Sequence, residues 1–407
     1  ENKKIIAAID LGTSNIKCAI FSLGSDGLPK LIGSSKKKTK GIHNSIIVNI
    51  NDAIDSIRSC LIEAEKKSQI HLNKINVLID PIEIITTRLT KFKKINGSKI
   101  EKDDVSFLLK EAKKQVELNN SKLSNIHIFN YKYIVDNKLF KDFPFNIYAD
   151  QFSQENVFIS VPKNILKNIT KVFHSCDIEI NKFISCSYAL GICYFNQDQI
   201  DYGCGIIDMG YEKTSLALFK DSSLVHVSSF PIGSNHITKD ITRGCYLSEI
   251  ESELIKKDIS IINNLDRELN NNEFLSDKYF SETKFRKISS KFVRDIISAR
   301  LDEILNKIIK EINFLHAESI KQNLIFTGEG SRLNDLKKIA NAKLSNYIFD
   351  TSLANFKPYG DINKELLACC GAVKILTEGF VSEAIAIPNK SHRDKSGFFT
   401  RIFNIFN

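Results

Sequence analysis

The sequence predicts an α/β protein in which two like domains face one another across a cleft. Three stretches predict it. In residues 5–21, the apolar run Ile5-Ile6-Ala7-Ala8-Ile9 ends in Asp10, turns through Leu11-Gly12-Thr13-Ser14 and leads away in Cys18-Ala19-Ile20-Phe21. About half a chain later, Gly205-Ile206-Ile207-Asp208-Met209-Gly210 passes through Tyr211-Glu212-Lys213 into Thr214-Ser215-Leu216-Ala217-Leu218-Phe219. The third stretch, Leu324-Ile325-Phe326-Thr327-Gly328-Glu329-Gly330, precedes a helical pattern over residues 334–342.

Each stretch has a physical reason to meet a phosphate. An apolar run ended by an acid and a tight turn reads as a buried strand, a turn and a returning strand. Gly12 lets backbone approach a ligand closely, and Thr13 and Ser14 add hydroxyl and N–H donors. Asp10 at the strand end suits a hydrated magnesium ion. Asp-X-Gly-Thr also occurs in ordinary hairpins, so one copy carries little. A second copy at Asp208 and Gly210 is much harder to assign to coincidence. Strand, Gly-X-Gly and helix start is a further recipe for holding a nucleotide, because free N–H groups at a helix start point at the ligand. Gly-X-Gly by itself is usually only a turn.

Composition bounds the rest. With 407 residues and 43% hydrophobic content, the chain can bury cores for two or more domains. The net charge of +9 is spread along the chain, and no run of interleaved aromatic and basic residues marks a nucleic-acid groove. The densest basic run, Lys36-Lys37-Lys38 with Lys40, reads as a solvated loop. The nine cysteines form no Cys-X-X-Cys pair and no zinc spacing, and most sit in apolar segments, which fits a reducing cytoplasm. No secretory signal and no apolar stretch long enough to span a bilayer is present in these residues.

Along the chain, residues 52–67 read as a helix capped by Asn51, with Ile54, Ile57, Leu61 and Ala64 on one face. Residues 75–79 read as a strand, and Pro81 marks a boundary. The pattern then changes until residue 162. A basic strand over 86–94, a turn at Asn96-Gly97, a helix over 101–116, short strands at 126–129 and 133–135, and a strand over 156–161 make an inserted unit. Helices follow at 163–174 and 185–195. The second carries small residues that permit close helix packing, as does a helix over 366–376 with Ala368, Gly371 and Ala372. Gly233 precedes a further helix start. Ser248 and Glu251 have capping-box spacing, and Glu253 and Lys256 lie one turn apart, as a surface ion pair or a ribose contact. Residues 263–277 are polar and read as a loop. Residues 292–315 form a long helix with an apolar stripe of Ile296, Ile297, Leu301, Ile304, Leu305, Ile308, Ile309 and Ile312.

After Gly379 the chain turns polar and reads as a linker to residue 396. Residues 397–407 then place Phe398, Phe399, Ile402, Phe403, Ile405 and Phe406 in one helical arc of roughly 160°. Lys390, Arg393, Lys395 and Arg401 outnumber the lone acid Asp394 there. A bulky apolar face beside basic residues fits an in-plane anchor on an anionic membrane. A helix docked on the body or on a partner is the alternative.

The three loops, in this order, resemble the actin-like ATPase superfamily, with two ribonuclease-H-like domains around ATP. Within it, the whole pattern resembles the FtsA family of bacterial division proteins. The resemblance rests on Asp10-Leu11-Gly12-Thr13-Ser14, Ala64-Glu65, Ile100 to Val105, His127 and Tyr133 to Asp136. It continues in Ile232-Gly233 with Ile237 to Ile241, in Glu253 to Lys256, and in Thr327-Gly328 with Leu333 and the tail. It implies a first ribonuclease-H-like domain at 1–80 and 163–195, a division-specific insert at 81–162, and a second such domain at 196–242 and 320–378. Residues 243–319 would be its subdomain. It implies ATP and Mg2+, with Gly12, Thr13, Ser14, Asn15, Gly210, Lys213, Thr214 and Gly233 around the phosphates. Glu253, Lys256, Gly328 and Gly330 would surround ribose and adenine, and Asp10 and Asp208 would hold magnesium mostly through water.

The resemblance further implies self-assembly into a filament or dimer and binding of the FtsZ C-terminal peptide at Arg300 and Glu303. Other division proteins would meet the insert. The site of action would be the cytoplasmic face of the inner membrane at the division site, with Arg401 flanking the apolar arc. Departures from the family are Tyr211-Glu212-Lys213 in place of glycines, Ser215 for a common Asp, Glu329 for Gly, Ser234-Asn235 for Gly-Asp, and Asn146 and Ala149 for glycines. They fit nucleotide binding with at most weak ATPase activity, and no catalytic residue is assigned. Competing readings are a PilM-like pilus scaffold, a small-molecule kinase of the same superfamily, and a scaffold that no longer binds nucleotide.

Overall fold

The computed structural model describes residues 4–24, 27–259, 274–315, 318–343, 347, 349–350, 363–380 and 382–384. The chain divides into two compact units. The first comprises Glu1–Gly205, Ala217–Ser229 and Leu353–Asn407, and the second Ile206–Leu216 and Phe230–Ser352.

The first unit is built on a five-stranded sheet. Its strands are β1 (Ile5–Leu11), β2 (Asn15–Leu23), β3 (Pro29–Lys38), β6 (Lys74–Ile79) and β11 (Glu179–Ser185), after a small hairpin of β4 (Ile42–His43) and β5 (Ile46–Ile47). The order is β11-β6-β1-β2-β3, with β1 and β2 antiparallel and β6 parallel to both β1 and β11. Helix α1 (Ile50–Ser68) buries Ile57, Leu61 and Ala64 as the sequence period predicts, but Ala53 and Cys60 complete the inward face while Ile54 is only half-buried at its margin. Its cap is Asn49 rather than Asn51. The chain is extended at Asn49, whose side chain accepts the N–H groups of Asn51 and Asp52. Lys36 and Lys37 lie on β3, not in a loop, and pair with Glu365 and Glu63 at 2.8 and 2.6 Å.

Residues between β6 and β11 form a second sheet. Its strands are β7 (Ile85–Lys99), β8 (Leu123–Val135), β9 (Lys138–Phe140) and β10 (Tyr148–Pro162), in the order β7-β10-β8-β9. Helix α2 (Lys102–Asn119) packs Val105, Leu108, Leu109 and Ala112 against Ile128, Tyr133, Phe152 and Phe158. Asn96-Gly97 does not end the strand. Both have positive φ (49° and 75°), and pairing with β10 jumps from Lys94↔Gln151 to Ser98↔Ala149, so the dipeptide is a bulge. The two short strands expected near residue 130 are one, β8, because β10 pairs along its whole length with two small irregularities.

Helix α3 (Lys163–His174) leads into β11, and α4 (Cys186–Tyr194) and α5 (Gln197–Tyr202) lead out of it. Small residues matter as predicted where α4 meets α10 (Leu367–Glu378). A Cβ on Gly371 would stand 1.9 Å from the Ala189 carbonyl oxygen, and one on Gly191 2.3 Å from the Phe219 ring.

The segment after α10 is not yet a linker. Phe380, Ser382, Glu383 and Ala384 are buried. The Asn130 N–H donates to the Ser382 carbonyl at 2.8 Å, and the Ala384 N–H to that of Ile128 at 2.7 Å, so this segment bridges antiparallel onto β8. Glu383 Oε1 lies 2.6 Å from His127 Nδ1, and Oε2 accepts the Tyr188 hydroxyl at 2.9 Å. His127 Nε2 accepts the Ser185 N–H at 3.0 Å, which leaves the ring proton on Nδ1 to face the carboxylate. Burial, then Glu383, pushes the Tyr188 hydroxyl pKa well up. Residues 385–396, the apolar arc of Phe398, Phe399, Ile402, Phe403, Ile405 and Phe406, and the flanking Arg401 lie outside the described residues.

The second unit contains most of β12 (Cys204–Met209), the start of β13 (Thr214–Lys220), and the short β15 (Leu324–Thr327) and β16 (Phe349–Asp350), in the order β13-β12-β15-β16. The rest of β13 and β14 (Ser223–Phe230) belong to the first unit, apart from Phe230. The second unit also holds α6 (Ser234–Cys245), α7 (Glu249–Asp258), α8 (Ser290–Phe314) and α9 (Leu336–Lys343). Along α8, Val293, Ile297, Leu301, Ile304, Leu305, Ile308 and Ile312 are buried, with Ile296 and Ile309 half-buried at the margin of the expected stripe.

The Ser248–Glu251 capping box forms as predicted. Each side chain accepts the other's backbone N–H, at 3.2 and 2.9 Å. Glu251 Oε1 also accepts the N–H groups of Glu282 and Thr283, each at 2.8 Å. Burial works to raise its pKa, but the backbone donors outweigh this and bring it down to about 2. The carboxyl is therefore depressed in the folded chain, so its stabilisation is present above the usual glutamate range and fades as pH falls toward about 2. Urea titrations from neutral to acid pH are expected to show Glu251→Gln costing about 2 kcal/mol at neutral pH and less as the wild type protonates. An unchanged gap between the two proteins across that range would refute the assignment.

Candidate functional site

The first loop, Gly12 to Asn15, is half-exposed and joins β1 to β2. It is tight: a Cβ on Gly12 would lie 2.5 Å from the Asn15 carbonyl oxygen. Asp10, half-buried between the buried Ile9 and Leu11 of β1, lies opposite Lys17, whose ammonium stands 3.7 Å away, while Cys186 Sγ lies 3.8 Å from its other oxygen. Asn15 Nδ2 donates to Ser14 Oγ at 3.0 Å. Behind the loop, the Thr39 hydroxyl donates to the Gly12 carbonyl at 2.7 Å and the Asn44 N–H to Thr13 Oγ1 at 3.1 Å. Asn44 and Ser45, both at positive φ, form the tip of the β4–β5 hairpin. Sequence reasoning missed this support. Its signal was His43-Asn44-Ser45-Ile46, where Asn is a favoured residue for a hairpin with positive φ.

The second loop closes on the start of α6. The Gly210 N–H donates to the Lys213 carbonyl at 2.9 Å, while the Gly210 and Tyr211 carbonyls accept the N–H groups of Ser234 and Asn235 at 2.9 and 2.7 Å. The Gly233 N–H goes to His236 Nδ1 at 3.1 Å. A Cβ on Gly233 would meet the Tyr211 and Gly210 carbonyl oxygens and the Lys213 nitrogen at 2.6–2.7 Å. Two N–H groups at this helix start, those of Ser234 and Asn235, thus hold the loop, while that of Gly233 is used within the start of α6 itself. Burial, then Arg300 and Lys239, lowers the His236 pKa and favours the neutral ring that this bond needs.

Thr214 was expected among the phosphate ligands. Its side chain is instead wholly buried and donates to the Ile232 carbonyl at 2.7 Å, closing the loop from within. Glu212 does not project from the loop. It is buried against α6, with Asn235 Nδ2 at 3.5 Å and Lys239 Nζ at 3.7 Å from Oε1.

The third loop crosses the end of β12. Gly328 has φ of +85°, and a Cβ there would stand 2.4 Å from Asp208 Oδ1 and 2.6 Å from the Met209 carbonyl. On Gly330 it would meet Met209 Cγ at 2.5 Å. Both glycines are needed for this close passage, and the passage brings Asp208 beside Gly328. The helix does not begin straight after Gly-X-Gly. A 3-10 turn, Glu329–Arg332, intervenes, and α9 starts at Leu336.

Glu253 and Lys256 meet as an ion pair at 2.5 Å, and the pair is more buried than a surface pair would be. Lys256 Nζ also donates to the Ser234 carbonyl at 3.2 Å and to Thr238 Oγ1 at 2.9 Å, so its three donors are all used. Burial lowers the Lys256 pKa against the pull of Glu253. Burial also acts to raise that of Glu253, but Lys256 and Thr238 overcome this and hold it below the usual range. Arg300 forks onto Asp240 at 2.7 and 3.0 Å and also bonds Glu303, one turn along α8.

Within the second unit the structure thus gathers Gly210, Lys213, Thr214 and Gly233 in one closure, Asp208 with Gly328 and Gly330 in another, and Glu253 with Lys256. Arg300 and Glu303 form a separate ion cluster. Gly12, Thr13, Ser14, Asn15 and Asp10 lie together in the first unit. Among the described residues no three His, Cys, Asp or Glu side chains converge to hold a metal directly, and no helix is long and apolar enough to cross a membrane.

Residues 205–365 match the family model described as cell division protein FtsA. The cell division protein FtsA of Bacillus subtilis is 24% identical over 349 residues, covering 85% of this chain and 78% of that one. The FtsA of Neisseria meningitidis is 22% identical, over 84% of this chain and 82% of that one. Among solved structures, a PilM-PilN type IV pilus biogenesis complex aligns with a TM-score of 0.61 at 13% identity, over 92% of this chain and 97% of that one. MreB5 of Spiroplasma citri bound to AMPPNP aligns with 0.54 at 13%, over 92% and 96%.

The fold is that of an actin-like protein. Within that class the chain is similar along most of its length to the curated cell division proteins named FtsA, and it matches that family's model over residues 205–365.

Proposed function

We propose that the chain is an ATP-binding, self-assembling actin-like protein of bacterial cell division, which tethers the FtsZ ring to the cytoplasmic membrane. The observation that carries the nucleotide part is the set of three glycine turns, at Gly12, Gly233 and Gly328, where a Cβ would fall 2.4–2.6 Å from backbone or from Asp208. At each a side chain would strike the protein's own loops, and glycine turns folded this tightly form backbone concavities of the kind that suit a phosphate. The MreB5 structures bound to AMPPNP and to ADP support the same reading.

In this reading Gly12 to Asn15 and the Gly210–Lys213 turn hold the phosphates, Glu253 lies by the ribose, and Gly328 and Gly330 lie by the adenine. Lys256 acts from behind, because its donors already fix α6 to α7. Asp10 and Asp208 fit a magnesium ion that keeps most of its water. The ion would balance phosphate charge. Thr214, turned inward, shapes the loop only. We assign no side chain to activate water and expect weak hydrolysis at most. The Asp240–Arg300–Glu303 cluster would receive the FtsZ C-terminal peptide, the insert would meet other division proteins, and the apolar arc from Phe398 to Phe406 would lie in the membrane interface.

The test is isothermal titration with ATP and Mg2+. Wild type is expected to bind, and Asp10→Asn to bind at least about tenfold more weakly with Mg2+, a loss of about 1.4 kcal/mol. Without Mg2+ the two proteins should differ little. No heat from the wild type would overturn the site.

A further inference from the structure

Helix α3 has a face that neither the nucleotide loops nor the terminal arc uses. Ile165, Ile169, Val172 and Phe173 are buried. The opposite face carries Lys163, Lys167, Lys171 and His174, all exposed, and no acid occurs anywhere in the helix. At 100° per residue these four side chains, with Leu166 and Thr170, share one arc of roughly 140°. Together with Ser124 of β8 they line an open groove of about 520 Å³.

Charge is concentrated and unspent here. Among the described residues, none of Lys163, Lys167 and Lys171 enters an ion pair. Lysines elsewhere in the first unit do, such as Lys36, Lys37, Lys67 and Lys74. Lys122 adds a further cation at the α3 start, where its carbonyl accepts the Lys163 N–H at 2.9 Å. Three like charges one turn apart repel one another. Such a row persists at no gain to the fold and is suited to an anion outside it.

We infer that this face of α3 is a second contact for anionic phospholipid headgroups, acting beside the terminal arc. The inference rests on the membrane reading above. The groove offers cations around Leu166, its one large apolar side chain, and is lined by no Phe, Tyr or Trp. A peptide site would be expected to supply apolar or aromatic anchor pockets. The chain leading to the terminal arc is also held on the same strand that lines the groove. Ala384 bonds Ile128, four residues from Ser124, a separation of roughly 13 Å along β8.

The experiment is co-sedimentation with phosphatidylcholine vesicles and with the same vesicles doped with phosphatidylglycerol. It compares the full chain, the combined variant Lys163→Glu, Lys167→Glu, Lys171→Glu, and a chain ending at Ser396. A lysine near an anionic surface contributes about fivefold in affinity, so the combined variant is expected to lose about 100-fold or more on doped vesicles at low salt. It should not change on pure phosphatidylcholine, and its melting curve should match wild type because all three positions are exposed. The Ser396 chain should keep a weak, salt-sensitive binding to doped vesicles that the same reversal removes.

Equal binding of the combined variant and wild type overturns the inference and leaves the terminal anchor standing. Equal binding of the Ser396 chain and the full chain overturns the anchor, while the reversal still decides α3. If reversal spares vesicle binding but abolishes retention on a glutamate-rich peptide column, the groove belongs to a protein partner and the lipid inference falls.

Discussion

Gly371→Ala is expected to lower the stability of the first unit by about 3–5 kcal/mol, and Gly371→Leu to prevent its folding. Intrinsic helix propensity argues the other way, since alanine in a helix interior is favoured over glycine by about 1 kcal/mol. Geometry outweighs it. The added methyl would sit 1.9 Å from the Ala189 carbonyl oxygen and 2.5 Å from its carbonyl carbon. Both are backbone atoms of α4 and cannot rotate aside. Relief needs the two helices to part by more than an ångström, along a contact that also seats Cys193 Sγ at 3.0 Å from the Leu367 carbonyl. Interiors packed to crystal density resist such a shift. Urea denaturation measures the loss. An alanine variant as stable as wild type would mean that the helices do not approach this closely.

Glu383→Leu is expected to cost about 3 kcal/mol. The substitution leaves the His127 Nδ1–H and the Tyr188 hydroxyl buried without their acceptor, and an orphaned buried donor costs about 1–3 kcal/mol. Glu383→Gln keeps the volume and one acceptor oxygen and should cost about half as much. The specific signature is coupling. In a Tyr188→Phe background the Glu383→Gln cost should shrink by about 1 kcal/mol, because one of the two bonds is already gone. Additive losses would show that Glu383 is merely buried beside these groups and not bonded to them.

How far these features could be read from sequence depended on how local their causes are. The β1–loop–β2 unit was legible because an apolar run, an acid and Gly12 are adjacent in the chain. The limits of α3, the Ser248–Glu251 box and the small-residue helices followed from periods of three to four residues. Asn96-Gly97 misled because its turn signal is real, but the register of β10 carries the strand through it as a bulge. Thr214 and Glu212 were in the right loop, yet their directions are set by Ile232 and Lys239, which the loop sequence does not contain. Glu383 was hidden most deeply. It follows a glycine in a stretch that turns polar, and its partner His127 lies 256 positions away.

That bridge also sets a load path. Any pull on the chain beyond Ala384 reaches β8 before it reaches α10. The first bonds to bear it are two backbone hydrogen bonds and the Glu383 carboxylate. Tension from a tethered tail would therefore be felt first by the inserted sheet and by Tyr188, near the start of the helix whose first residue touches Asp10.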